Sequence, residues 1–495
     1  MNINFLDKTY PTDGCVILTS DQDGNLSFAA KHYDNLCGNI IKKALKNSNF
    51  SGKEGEVLFF TPTQTDISCF ILLGVGTSLE TFNTQTWVNL GGSAFAATEK
   101  ISAKKVYFIE PEESKNSAAV SYFAEGFLLR SYKFHKYKTS KENISNDNID
   151  SLSIISKNPS LAKDVFHTLS ERVASIELTR DLVSEAPNVL YPESMANKIK
   201  ELESTGLKIK ILKPKDLKEL GMEALLAVGQ GSSKEARVVT LEWHGASKDK
   251  APLAFVGKGV TFDTGGISLK AGLNMHEMKT DMGGAATVIG LLATLAKRKA
   301  KINAVGVVGL VENMPGSNAY RPGDVIKSMS GKTIEVLNTD AEGRVVLSDV
   351  LWYTQEKFKP KLLIDLATLT GAILIALGEE IAGLFANNNK LAQQLHEIGE
   401  ATDEKVWQMP MHKLFNSHVI SDIADIKNIG KKGLAGSVSA AKFLEFFIQD
   451  GLPWAHLDVA GVAWSDKPSY MFDKGATGFG VRLLDEFVKK HHEKA

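Results

Sequence analysis

Three aspartates, one glutamate, two lysines and one arginine fall within glycine-rich stretches of this chain, each beside an apolar run. The first stretch is Val256-Gly-Lys-Gly-Val-Thr-Phe-Asp-Thr-Gly-Gly-Ile-Ser-Leu-Lys270, followed shortly by Thr280-Asp-Met-Gly-Gly284. The second is Asn338-Thr-Asp-Ala-Glu-Gly-Arg344. A tight turn at a strand end cannot leave such charges unpaired. Carboxylates that converge out of water repel one another, and cations are the usual remedy. The pattern therefore calls for a fold whose strand-end turns gather these side chains around metal ions.

The flanking sequence alternates accordingly. Lys208–Leu212, Val238–Trp243, Leu253–Val256, Ala304–Val311 and Leu362–Leu366 read as strands, and Met282–Lys299 and Glu342–Phe358 as helices. Such alternation predicts an α/β fold with helices on both faces of a largely parallel sheet, functional loops lying at the carboxyl ends of the strands. Earlier in the chain, Val16–Leu18, Val57–Phe60, Cys69–Leu73 and Val106–Ile109 read as strands, with helices at Asn39–Leu45 and Thr86–Ala97. Lys136–Ser160, rich in Lys, Ser, Asn and Asp, reads as a loop or linker. From Leu161 an apolar repeat at three- and four-residue steps (Val165, Leu169, Val173, Ile176, Leu182) predicts a long helix that stops before Pro187. At 495 residues the chain exceeds one compact core. Two domains are expected, 1–160 and 161–495, each a sheet flanked by helices, with the catalytic site in the C-terminal one.

Charge is balanced, 57 Lys+Arg against 58 Asp+Glu, so the total points to neither a nucleic acid nor a membrane surface. Met1–Tyr10 does not read as a secretory signal, because no basic stretch leads into an apolar one. The longest apolar run, Leu362–Leu377, contains Asp365 and is short for a membrane span. The three cysteines, Cys15, Cys37 and Cys69, make no CxxC pair and read as free thiols of a cytoplasmic protein.

Lys258, Asp263, Asp281, Asp340 and Glu342 are read as one cluster. Hard oxygen ligands suit Mn²⁺ and Mg²⁺, and Zn²⁺ also accepts carboxylates. Four carboxylates carry enough charge for two such ions, an arrangement that polarises a carbonyl and activates water. Lys258 beside two cations would lose its proton. A protonated Lys270 would stabilise a developing oxyanion. Arg344 offers a planar fork to an anion. Other signals are weaker. His276-Glu277 lacks the second histidine of a zinc helix, since position 280 is Thr. Ser439-Ala-Ala-Lys442 reads as helix entry, and His456, in an apolar run, as a satisfied core residue.

Both charged stretches resemble the M17 leucyl aminopeptidase family. The resemblance extends through Thr179-Arg-Asp-Leu-Val, Asn188-Val-Leu-Tyr-Pro192, Asp365-Leu-Ala-Thr-Leu-Thr-Gly371 and Asp458-Val-Ala-Gly461. It implies that Lys258, Asp263, Asp281 and Glu342 hold a tightly bound metal, and that Asp263, Asp340 and Glu342 hold a more exchangeable one, Mn²⁺ or Zn²⁺. It further implies that Lys270 polarises the scissile carbonyl and that Arg344 holds a bicarbonate acting as general base. Leu369 would contact the substrate main chain; Met278, Thr368, Gly371, Ala460 and Ala463 would line the pocket for its first side chain. Position 463 is alanine where some members carry methionine. The implied protein is an aminopeptidase acting on peptides as a homohexamer. Two competing readings are a two-metal phosphoesterase, with Arg344 gripping phosphate, and a non-catalytic DNA-binding role, which the balanced charge does not support.

Overall fold

The computed structural model describes all residues except 64, 78–81, 102, 113, 117, 141–148, 248 and 494–495. The chain divides into two compact units: Met1–Ala174 with Asp466–Lys474, and Ser175–Ser465 with Gly475–Ala495. The division falls inside the predicted long helix, which runs Pro159–Ser184.

The first unit is built on a six-stranded sheet. Its order is Asn2–Leu6, Ser151–Ile155, Lys105–Ile109, Asp13–Ser20, Asp66–Gly74, Val57–Phe60. All neighbours are parallel except the last pair. Strand alternation sends Cys15, Ile17, Cys69, Ile71 and Leu73 into one core with the helices Thr84–Thr98 and Ala119–Ser131. Val16, Leu18, Phe70 and Leu72 enter the other core with the helix Phe28–Leu36. Ser151–Ile155 lies inside the stretch read as linker; its alternating serines disguise a strand whose Leu152 and Ile154 are fully buried. The three cysteines are free thiols.

The second unit holds an eight-stranded sheet. Its order is Val406–Gln408, Ala382–Ala386, Trp454–Asp458, Leu362–Ala367, Leu253–Asp263, Asn303–Asn313, Arg237–His244, Lys208–Leu212. The central four, from Trp454–Asp458 to Asn303–Asn313, are mutually parallel. Outward from them the pairing turns antiparallel on both sides, so the sheet is mixed rather than largely parallel. Phe255, Ile364 and the helix Gly283–Lys297 pack on one face. Val256, Leu363 and the helix Glu342–Phe358 pack on the other. The run Leu362–Leu377 is a buried strand and the short helix Gly371–Leu377, and among the described residues no helix is long and apolar enough to cross a membrane. Asp365 is tolerated in that strand because its carboxylate takes the Trp454 Nε1–H at 2.6 Å and pairs with His456 Nδ1 at 2.6 Å. Ser439 and Lys442 lie within the helix Gly436–Glu445.

Candidate metal centre

Lys258 and Asp263 share the strand Leu253–Asp263, five positions apart, which in a regular strand would face them oppositely. The register with Asn303–Asn313 slips here: Val311 pairs with Val260, but Glu312 pairs with Phe262. One extra residue turns Asp263 to the side of Lys258. Asp281 and Glu342 arrive from the N-terminal ends of the helices Gly283–Lys297 and Glu342–Phe358, where backbone N–H groups favour negative charge. The turn after Asp263 requires glycine. Gly265 and Gly266 have φ of +84° and +66°, and a Cβ on Gly265 would lie 2.4 Å from Ser268 O and 2.9 Å from Asp340 Oδ1.

Carboxylate oxygens of Asp263, Asp340 and Glu342 lie within 4.8 Å of one another. Asp281 stands outside this trio and joins it through Lys258, whose Nζ is 2.7 Å from Asp281 Oδ1 and 2.9 Å from Glu342 Oε1. Lys270 Nζ bridges Asp263 Oδ2 at 2.9 Å and Asp340 Oδ1 at 2.5 Å. Lys258, Asp263, Asp281, Glu342 and Arg344 are buried, while Asp340 and Lys270 keep partial access to solvent. Arg344 Nη1 donates to Asn428 O at 2.8 Å, and its Nε has no hydrogen-bond partner among the described residues. Around the cluster, Thr368 Oγ1 donates to Asp281 Oδ1 at 2.7 Å, and the Leu369 N–H to Asp458 Oδ1 at 3.1 Å. Thr368 and Ala463 meet at Gly283, where an added Cβ would lie 3.3 Å from Thr368 Cγ2 and 3.1 Å from Ala463 Cβ. Met278 sits in the 3-10 turn Met275–Thr280, Gly371 is exposed at a helix start, and Ala460 packs beside Ile373 and Phe385. None of these three touches the carboxylates through a described hydrogen bond or ion pair.

The charge balance is tense. Burial pushes Glu342 up to about 8, Asp263 and Asp281 adding to the rise against the two lysines. Burial likewise lifts Asp281 to about 6, against the pull of Lys258. Burial also raises Asp340, and nearby Asp263 adds to it. For Lys258 burial works against the charge, but Asp281, Glu342 and Asp263 outweigh it and hold the ammonium above the usual lysine value. Lys270 behaves the same way with Asp263, Glu342 and Asp340. A neutral Lys258 amine therefore requires cations among these carboxylates. Burial draws Arg344 down to about 10, opposed by Glu342 and Asp458. Asp281 Oδ2 and Glu342 Oε2 are buried with no hydrogen-bond donor among the described residues. A cluster of carboxylate oxygens, two of them unsatisfied, fits hard divalent cations.

Sequence reasoning missed the residues that hold the cluster in place. Asn313 Nδ2 donates to Asp263 Oδ1 at 2.8 Å and Thr339 O at 3.0 Å. Tyr320 Oη donates to Thr339 O at 2.9 Å. Asn428 Nδ2 donates to Asn338 O at 2.6 Å while its Oδ1 accepts the Leu337 N–H at 2.8 Å. Asn313 had a readable signal, as a polar residue at the carboxyl end of an apolar strand beside Asp263. Asn428 had none, since its partners are main-chain groups distant in sequence.

A two-unit α/β chain with an oxygen-rich, cation-demanding cluster at its central strand ends defines a metal-dependent enzyme. Residues 177–485 match the catalytic domain of the cytosol aminopeptidase family, and residues 16–141 match that family's N-terminal domain. A probable cytosol aminopeptidase of Rhizobium leguminosarum bv. trifolii (strain WSM2304) is 44% identical over 494 residues, covering 99% of each chain. The cytosol aminopeptidase of Rickettsia prowazekii (strain Madrid E) is 44% identical over 500 residues, covering 99% of this chain and 100% of its own. Among solved structures, a mutant of tomato leucine aminopeptidase superposes with a TM-score of 0.88 at 31% identity, covering 99% of this chain and 97% of its own. The bottromycin maturation enzyme BotP in complex with Mn superposes with a TM-score of 0.84 at 29% identity, over 97% of this chain and 99% of its own. The chain belongs to the cytosol aminopeptidase family, M17, and is a metallo-aminopeptidase, a hydrolase that acts on peptides with divalent metal ions.

Proposed function

We propose that two divalent ions sit among Lys258, Asp263, Asp281, Asp340 and Glu342, and that the enzyme releases leucine-like and other residues from peptide N-termini. The observation that carries this reading is the trio Asp263, Asp340 and Glu342 joined to Asp281 through Lys258. When bound, the ions supply Lewis acidity and a water acidic enough to attack at neutral pH. Mn²⁺ and Zn²⁺ both suit the donor set.

The remaining work belongs to the chain. Lys270, protonated and reachable from solvent, donates to the scissile carbonyl oxygen as charge develops on it. Arg344 would hold a bicarbonate, which would supply a general base beside the leaving amine; the Arg344 Nε, without a hydrogen-bond partner among the described residues, supports the anion. The Leu369 N–H is already given to Asp458, so the main-chain contact left to Leu369 is its carbonyl. Thr368 and Ala463, with Met278, Gly371 and Ala460, form the pocket for the first side chain. The assembly is a homohexamer in the cytoplasm, a reading supported by apolar side chains left bare on the catalytic unit: Ile375 is 91% exposed and Leu273 84%.

The test pairs leucine p-nitroanilide and a free leucyl peptide with the same peptide N-acetylated, before and after chelation and metal readdition. Hydrolysis of the free peptide alone, lost with chelator and restored by Mn²⁺ or Zn²⁺, is expected. Efficient cleavage of the acetylated peptide would refute release confined to free peptide N-termini.

A further inference from the structure

Asp458 ends the strand Trp454–Asp458 and pairs in register with Ala367, the last residue of Leu362–Ala367. Two loops leave these neighbouring strand ends, where a parallel sheet places its functional segments. Residues 368–371 and 459–463 between them carry Thr368, Leu369, Gly371, Ala460 and Ala463 of the proposed substrate pocket. Asp458 is 1% exposed and is not one of the three carboxylates that converge in the metal cluster.

Both of its oxygens are engaged by these loops. Oδ1 accepts the Leu369 N–H at 3.1 Å and the Ala460 N–H at 3.3 Å, one from each loop. Oδ2 accepts the Thr370 hydroxyl at 2.7 Å. Thr370 Oγ1 in turn accepts the Ile373 N–H at 3.3 Å and so caps the helix Gly371–Leu377. The peptide unit whose N–H reaches Asp458 has its carbonyl, Thr368 O, on Lys258 Nζ at 2.8 Å. That peptide plane is held at both ends, by an ammonium of the metal cluster and by Asp458. One carboxylate thus grips the N–H of Leu369 and the side chain of Thr370, which fixes the direction of the Leu369 carbonyl between them. Burial raises the Asp458 carboxyl above its usual range, opposed by His456, the Thr370 hydroxyl and the N–H groups of Leu369 and Ala460.

We propose that Asp458 is a positioning residue for peptide hydrolysis, its carboxylate setting the Leu369 carbonyl and the spacing of the two loops so that the substrate main chain and first side chain seat together. It rests on the reading that Leu369 and Ala463 face the substrate. Asp458 acts through Leu369 and Ala460 and not on the reacting atoms, so its loss weakens substrate seating and shows in KM ahead of kcat. A merely structural role would reduce the fraction of active molecules, which lowers kcat and leaves KM where it was. Asp458 also supports the charge of Arg344. Thr370→Val separates the two effects, because it removes the hydroxyl contact and leaves the carboxylate charge in place.

Steady-state kinetics of the Mn²⁺-loaded full chain on leucine and alanine p-nitroanilides test this, with bound Mn²⁺ counted in each protein. The variants are Asp458→Asn, Thr370→Val, Thr370→Ser, the double variant Asp458→Asn/Thr370→Val, and Ala463→Met. KM is expected to rise at least about tenfold in Asp458→Asn and about threefold in Thr370→Val, with kcat within about threefold of wild type and bound Mn²⁺ unchanged. Thr370→Ser keeps the hydroxyl and should restore the wild-type KM. The double variant should add less than the two separate effects, because the hydroxyl acts through the carboxylate. The proposal is overturned by a wild-type KM in Asp458→Asn, by a fall in kcat alone, by loss of Mn²⁺ from that variant, or by Thr370→Ser matching Thr370→Val. Should Asp458→Asn fail to fold, the threonine pair decides, and a wild-type KM in Thr370→Val overturns it. An unchanged leucyl-over-alanyl preference in Ala463→Met fails the underlying pocket reading, whereas an altered preference there with a wild-type KM in Asp458→Asn fails this proposal alone.

Discussion

Lys258 carries a concentrated electrostatic load. Its ammonium bridges two buried carboxylates, and Gly343 makes room for it, since a Cβ there would lie 2.8 Å from Nζ. Lys258→Met keeps the stem and removes the charge, so chelator-treated protein should lose about 3–5 kcal/mol, read as a lower urea midpoint. An unchanged midpoint would mean the bridge contributes nothing. Ala463 sets the width of the first-side-chain pocket in the proposed reading. Ala463→Met should lower kcat/KM for leucyl substrates about tenfold relative to alanyl ones, measured on a panel of aminoacyl amides. Asp349, away from the cluster, accepts the Leu225 N–H at 2.9 Å and the Met329 N–H at 2.7 Å, and burial lifts it to about 7. Between the unfolded value and the folded one, the folded chain holds a proton that the unfolded chain has shed. Asp349 therefore makes stability fall as pH rises from about 4 to about 7, and the full cost persists above that range. Asp349→Asn should flatten that slope in thermal unfolding, while costing about 1–3 kcal/mol because one N–H now faces an amide donor.

At the scale of elements, the helix Glu342–Phe358 was readable to the residue, and Gly283–Lys297 nearly so, because long apolar periodicity and a glycine-rich start both mark them. Asn2–Leu6 and Ser151–Ile155 were not, since Asn and Ser alternate with their apolar residues and each finds its partner across almost the whole unit. The acidic turns of the site were legible because their charge demanded cations. Asn428 was not, because what its side chain holds is backbone. Nor could the register slip at Thr261, which decides where Asp263 faces, be read from composition. Close helix packing in the first unit was equally hidden: Gly126 lies so near Val88 that a Cβ would fall 1.8 Å from its carbonyl oxygen, and Gly91 repeats the contact against Phe123 O at 2.0 Å. Gly126→Ala should force the two helices apart and cost about 1–3 kcal/mol, visible as an earlier thermal transition. A transition at the wild-type temperature would show that the helices can slide without penalty.

At the scale of the whole molecule, the proposed hexamer predicts sedimentation at the corresponding mass, and Ile375→Arg, placed on a side chain 91% exposed in the single chain, should shift it to smaller species. Identical sedimentation of the variant would move the interface elsewhere. The first unit also draws on the far end of the chain. Asp473 pairs with Lys133 and Arg130, the Gln85 amide reaches Met471 Sδ at 3.8 Å, and Gly92 leaves space for the Tyr470 carbonyl, which a Cβ would approach to 1.7 Å. A ribosome making this polypeptide must therefore release almost all of it before the earliest-made unit can be completed, so that through most of synthesis Arg130 and Lys133 have Glu99 but not Asp473.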